Sequence, residues 1–142
     1  MQVQTIMTAN PACCTPDTSL TDVARMMQEH DCGAIPVCAQ DSKKLVGVIT
    51  DRDIVLRSLA DGKDPFQMAA GDCMSEGVET VRAEADVREC AEMMKEHQVR
   101  RLFVTDEAGS CVGVVSQADI ANMDMDERSG RLVKEISEPA YA

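Results

Sequence analysis

The chain has 142 residues, enough for one domain or for two small halves sharing a core, and 44% hydrophobic against 27% charged residues is an ordinary globular balance. A net charge of −11 excludes the basic stripe that nucleic acid requires and disfavours docking on anionic membranes. No apolar run approaches the ~18 residues of a membrane span, and Met1 to Met7 lack the basic and apolar segments of a secretion signal, so a cytoplasmic protein is expected.

Aromatic residues make up only 2% and Trp is absent, so the interior must be built from Val, Ile, Leu, Ala, Met and Cys. The first expected strand is Ala12 to Thr15. Ser19-x-x-Asp22 then reads as a helix start, followed by an apolar stripe at Leu20, Val23, Ala24 and Met27 that ends on His30. Two strands follow, Ala34 to Cys38 and Leu45 to Ile49, joined by the polar turn Ala39 to Lys44. A second helix begins near Asp51. Leu59 to Gly71, with Gly62, Pro65 and Gly71, reads as a partly helical connection.

The same order then recurs. Met27-Gln28-Glu29-His30 aligns with Met94-Lys95-Glu96-His97, and the register extends back to pair Met7 with Met74. A single-residue deletion in a turn then keeps Gly47 with Gly113, Thr50 with Ser116 and Asp53 with Asp119. The second copy has a strand at Glu79 to Arg82 and a cap at Asp86-x-x-Glu89. Its helix stripe is Val87, Cys90, Ala91 and Met94, and its hairpin is Arg101 to Thr105 with Cys111 to Val115. Neither copy buries both sheet faces in ~60 residues, so two copies should pack together. The expected division is 1–66, 67–125 and a C-terminal tail at 126–142 that reads as a short amphipathic helix. Both histidines fall at helix ends, where a cation suits the dipole.

Chemistry concentrates in Gly47-Val-Ile-Thr-Asp-Arg-Asp53 and Gly113-Val-Val-Ser-Gln-Ala-Asp119. In each, a strand ends on a hydroxyl residue and an Asp follows three positions on. Capping boxes account for that spacing unaided. The same groups also suit a nucleotide, with phosphate at the amides and hydroxyl of a helix start and ribose on the carboxylate. Spacing alone leaves both readings open. There is no Walker loop, Gly-x-Gly-x-x-Gly fingerprint or metal motif, and the acidic residues form no acid/base pair, so no enzyme is expected.

The pattern Gly-h-h-Thr/Ser-x-x-Asp (h apolar), preceded by Cys32-Gly-Ala-Ile-Pro-Val37 or Val99-Arg-Arg-Leu-Phe-Val104, resembles the cystathionine β-synthase (CBS) domain. Two tandem copies over residues 5 to 124 resemble a Bateman module, and stand-alone bacterial pairs of the hypoxic response protein type in particular. The resemblance implies an α/β (α+β) fold of two βαββα repeats related by a pseudo-two-fold. It also implies clefts for adenosine-containing ligands (AMP, ADP, ATP or S-adenosylmethionine) as regulatory ligands, with no obligatory cofactor. Carried over by position, one cleft combines Thr50 and Asp53 with Val81, Val99, Arg100, Arg101 and Leu102. The other combines Ser116 and Asp119 with Cys14, Thr15, Ala34, Ile35 and Pro36. Arg100 and Arg101 favour the more highly charged ligand in the first cleft. Phe103 departs from the family's usual Pro, which Pro36 retains. The resemblance further implies a homodimer that signals through its own shape or through a separate effector protein.

A second reading is a redox-responsive or structural CBS dimer without nucleotide. Seven cysteines are present, without a Cys-x-x-Cys pair and with only two histidines, so a zinc site has little support. Cys13 and Cys38 lie on strands expected to be neighbours, and a bridge needs Cα atoms within about 7 Å. Two reduced packing cysteines is the alternative at those positions.

Overall fold

Residues 1–123 are described by the structure, a computed structural model; the helix expected at 126–142 lies outside them. The chain opens with α1 (Val3–Ile6) and β1 (Thr8–Ala9), two short elements ahead of the first expected strand. Then come α2 (Leu20–His30), β2 (Ala34–Cys38), β3 (Leu45–Thr50) and α3 (Asp51–Ile54), which runs on into a π-helical turn at Val55–Leu59. The connection is helical in two places, a 3-10 turn at Pro65–Gln67 and α4 (Ala70–Cys73). The second copy supplies β4 (Thr80–Arg82), α5 (Val87–His97), β5 (Arg101–Thr105), β6 (Cys111–Ser116) and α6 (Gln117–Ala121). The architecture is therefore a mixed α/β fold of two similar βαββα units.

Local chemistry explains the boundaries. Ser19 caps α2 by accepting from the Asp22 amide, and Asp86 caps α5 by accepting from the Arg88 amide. Both helices end on a non-glycine residue in the left-handed region, Asp31 at φ 48° and Gln98 at φ 55°, whose amides close back on the last turn. Inside the π-turn the buried Ser58 hydroxyl donates to the Ile54 carbonyl, which keeps its polar group satisfied.

The chain forms two compact units whose composition departs from simple sequence order. One holds Ala12–Val78 together with Ala108–Cys111; the other holds, among the described residues, Met1–Pro11, Glu79–Glu107 and 112–123. In the first unit β2 and β3 pair antiparallel, Ala34 opposite Thr50 and Val37 opposite Gly47. Cys14 lies parallel beside Val37, and Ser75 lies antiparallel beside Val48, exchanging hydrogen bonds of 3.0 and 2.8 Å. In the second unit the sheet order is β1-β6-β5-β4, with Thr8 opposite Val114 and Val81 parallel to Val104. Thr8 and Ser75 hold equivalent places, so each sheet is completed by the segment that precedes the other repeat.

Each unit has its own core. Cys14, Leu20, Val23, Met27, Ile35, Val37, Ile49, Ala70 and Cys73 fill the first; Val3, Val81, Val87, Cys90, Ala91, Met94, Leu102, Val104, Val115 and Ile120 are the main members of the second. Fully burying a residue such as Val3 contributes about 1.5–3 kcal/mol. The expected helix stripes are buried except at Ala24, which is exposed while its counterpart Ala91 is buried. The two helices have different neighbours: α5 packs on α6, and α2 packs on the Pro65–Gln67 turn.

The third strand can approach only because glycine stands opposite it. A Cβ on Gly47 would lie 2.8 Å from the Ser75 carbonyl oxygen and 3.0 Å from the Met74 sulfur. At Gly113 the obstruction is mainly the Met7 side chain, which can swing away, with the Thr8 carbonyl at 3.1 Å. Gly47→Ala should therefore destabilise by about 1–3 kcal/mol in chemical unfolding, and Gly113→Ala by less.

Candidate functional site

The two hydroxyl–carboxylate turns form complete capping boxes. Thr50 Oγ1 accepts from the Asp53 amide at 3.0 Å, and Asp53 Oδ2 accepts from the Thr50 amide at 3.1 Å. Ser116 Oγ accepts from the Asp119 amide at 3.1 Å, and Asp119 Oδ2 accepts from the Ser116 amide at 2.8 Å. In both, the first helical residue is tied to the loop before the paired strand: the Asp51 amide donates to the Gly33 carbonyl at 3.0 Å, and the Gln117 amide donates to the Arg100 carbonyl at 2.8 Å. Capping engages one lone pair of each hydroxyl and one carboxylate oxygen. The hydroxyl proton and the second oxygen retain bonding capacity.

The turns are not identical. Arg57 lies 4.0 Å from Asp53 Oδ1 and donates to the Cys73 and Met74 carbonyls at 2.8 Å each. It thereby ties the end of α4 to the π-turn. The aligned position in the second copy is Met123, without a charge. The Asp53–Arg57 spacing was readable as a helix pair, but the carbonyls that Arg57 meets lie sixteen and seventeen residues away.

Thr50, Asp53, Cys14, Thr15, Ala34, Ile35 and Pro36 all belong to the first unit. Ser116, Asp119, Val81, Val99, Arg100, Arg101 and Leu102 all belong to the second. Each grouping expected from the sequence draws on both units. Within its own unit, Thr50 stands opposite Ala34, and the Ser116 turn is joined to Arg100 by backbone. Cys14, Ile35, Val81 and Leu102 are core residues, whereas Arg100 and Arg101 are exposed.

The first unit also gathers three thiols that the sequence keeps far apart. The strand expected at Ala12 to Thr15 is reduced to an isolated bridge of Cys14 to Val37; Cys14 is buried in the core, while Cys13 is half-buried and Cys38 lies outside that core cluster. The Cys14 amide donates to the Pro36 carbonyl at 3.0 Å, and the Cys38 amide donates to the Cys14 carbonyl at 2.8 Å. Cys111 is delivered by its amide bond to the Lys43 carbonyl at 2.9 Å, beside the Leu45 amide bond to the Gly109 carbonyl at 3.0 Å. All seven cysteines are thiols, with Cys13 half-buried and Cys38 and Cys111 buried.

Hydrogen bonding dominates at Cys13, and burial dominates at Cys38 and Cys14. The Cys111 contact does most to lower Cys13, to about 6; burial opposes it, and Cys38 and the Lys43 charge assist. Burial pushes Cys38 well up, and its bond to Cys13 pushes the same way, because Cys38 keeps the proton it donates. Burial raises Cys14 to about 11. Sequence reasoning counted Cys111 as an apolar strand residue. No local signal places it beside Cys13.

Among the described residues no group of three or more His, Cys, Asp or Glu side chains is arranged to hold a metal ion, and no helix is long and apolar enough to cross a membrane. The CBS domain family matches residues 3–59 and 70–126. Hypoxic response protein 1 of Mycobacterium tuberculosis is 41% identical over 134 residues, 94% of this chain and 92% of that protein. The CBS domain-containing protein YhcV of Bacillus subtilis is 34% identical over 136 residues, 95% and 94% of the two chains. A crystal structure of Hypoxic Response Protein I with two coordinated zinc ions superposes with a TM-score of 0.78, covering 87% of this chain and 98% of that one at 41% identity. CBSX2 in complex with AMP shares the fold, with a TM-score of 0.73 at 24% identity over 84% of this chain and 93% of that one.

Iodoacetamide alkylation followed by peptide mass spectrometry should find Cys13 reacting with a midpoint near pH 6, and Cys14 silent until about pH 11. Because folding depresses the Cys13 thiol from its ordinary 9.0, its contribution to stability is fully present above pH 9 and is lost as pH falls through about 6. Cys13→Ser should flatten that part of a stability–pH curve.

Proposed function

The chain belongs to the CBS domain family, as a tandem pair of the regulatory, non-catalytic kind, and from that premise we propose that it is a redox-responsive homodimeric module whose sensing thiols include Cys13 and Cys38. One observation carries this: Cys13 and Cys38 lie on chain segments joined through the Cys14 backbone, and neighbouring thiols hold the Cys13 thiol low, at about 6. Backbone bonds on both sides of Cys14 hold the two cysteines on adjacent chain segments, the placement a disulfide needs. The exposed Val55, Leu56, Leu59 and Phe66, the last at 77%, support a homodimer that covers them. A separate effector protein reads the dimer's shape.

A second reading is an adenosine-containing ligand such as AMP, ADP, ATP or S-adenosylmethionine. The duplicated turns favour it: Thr50 and Ser116 retain a hydroxyl proton for phosphate, and Asp53 and Asp119 retain a carboxylate oxygen for ribose. Arg100 and Arg101 add guanidinium groups suited to phosphate.

Two measurements separate the readings. Under oxidant, non-reducing intact mass spectrometry should show a chain lighter by two hydrogens, a loss that Cys13→Ser abolishes, while native mass spectrometry reports a dimer. Calorimetric titration with the four adenosine ligands should give no binding heat. Binding that weakens about tenfold or more in Asp53→Ala or Asp119→Ala would replace the redox reading with the ligand one.

A further inference from the structure

Resting on the homodimeric reading, we propose that a second copy of the chain docks on the first unit through the exposed apolar side chains of residues 55–66, each copy presenting the same patch to the other. The turn after α3 is inverted. A helix that packs only on its own core turns apolar residues inward and polar residues outward. Here Ser58 is fully buried, while Val55, Leu56 and Leu59 are 50%, 42% and 63% exposed. The three share one π-helical turn, in which the Ala60 amide donates to the Val55 carbonyl at 3.1 Å. Phe66, on the 3-10 turn that follows, is more exposed still.

Charge points to a second copy as the partner. The chain carries −11, so two copies repel across most of their surfaces. Residues 55–67 balance Arg57 and Lys63 against Asp61 and Asp64, all four exposed, and carry no net charge. Two like-charged chains can approach there, with both signs available to pair at the rim of an apolar centre.

The second unit offers no equivalent surface for the patch to meet. Of the large apolar side chains exposed among the described residues, Met1 alone belongs to that unit. Ala121 and Asn122, aligned with Val55 and Leu56, are exposed as well but present a methyl group and an amide. A patch that pairs with itself across a two-fold closes at two chains, whereas a patch set against a different surface runs on into a ring or a filament. Arg57 leaves from the same turn to reach the Cys73 and Met74 carbonyls and faces Asp53. The docking surface and the Thr50/Asp53 turn are therefore built on one helical element.

Light scattering on the full chain under reductant tests this, with circular dichroism to verify that each variant is folded. The wild-type chain should be a dimer. Leu59→Asp and Leu59→Lys each set like charges across the two-fold and should weaken association about a hundredfold or more. An equimolar mixture of the two should recover dimers that hold one chain of each kind, so that an affinity tag on one variant retains the other. Phe66→Asp should act in the same direction, and Asn122→Asp in the second unit should leave the dimer intact. Monomers from both Leu59 variants and from their mixture overturn the like-on-like pairing, because the patch then meets a different surface. A dimer unmoved by all three patch variants overturns the docking surface and leaves the homodimer standing. A monomeric wild-type chain, its patch then serving another partner or another part of the chain, overturns both.

Discussion

Neither repeat can finish its own sheet, and the rest of the structure follows from how that deficit is met. In each unit a two-stranded hairpin needs an edge partner, and the partner is the stretch that precedes the other repeat: Ser75 beside Val48, and Thr8 beside Val114. The approach is close enough to demand glycine at Gly47 and is tight at Gly113. It also brings a short helix against each hairpin, seating Ala70 and Cys73 in one core and Val3 in the other. The duplication visible in the sequence is therefore also an exchange of segments, which gives each unit an edge strand and core residues that its own repeat lacks.

The hydroxyl–carboxylate turns sit two residues further along those same strands, at Thr50 and Ser116. Strand pairing fixes Thr50 opposite Ala34, and the amide after each hydroxyl residue is tied to the loop before the paired strand. The reciprocal caps then hold hydroxyl and carboxylate in one geometry. The reciprocal capping bonds account for the spacing of such a turn as structure. It is equally a rigid platform with bonding capacity left over. Arg57 breaks the equivalence of the two copies, because it anchors the first turn to the carbonyls that end α4.

The cysteine cluster has a different physical origin. The bridge to Val37 seats Cys14 in the core and leaves the adjacent Cys13 half-buried. Cys14 becomes core and is held as a thiol by burial. Cys13 meets two thiol donors and a lysine charge and becomes acidic. Two residues of the same type, side by side in the chain, thus acquire opposite chemistry from what surrounds each.

Much of the fold was legible in order. The offset between the His30 and His97 helices revealed the duplication, and β2, β5, α2 and α5 fall where apolar period and capping residues place them. The π-turn and the strand β1 were not legible: Ser58 looks like any helix serine, and two residues at Thr8–Ala9 carry no period. At the site, Thr50/Asp53 and Ser116/Asp119 could be located from spacing, because capping is a local interaction between residues three apart. What the sequence alone determined is everything governed by local bonding and hydrophobic period: the repeats, the caps and the family. What the tertiary structure decided is which distant groups meet, including Ser75 on Val48, Arg57 on Cys73 and Cys111 on Cys13. Those contacts depend on strand register and loop closure, which no short window of residues encodes.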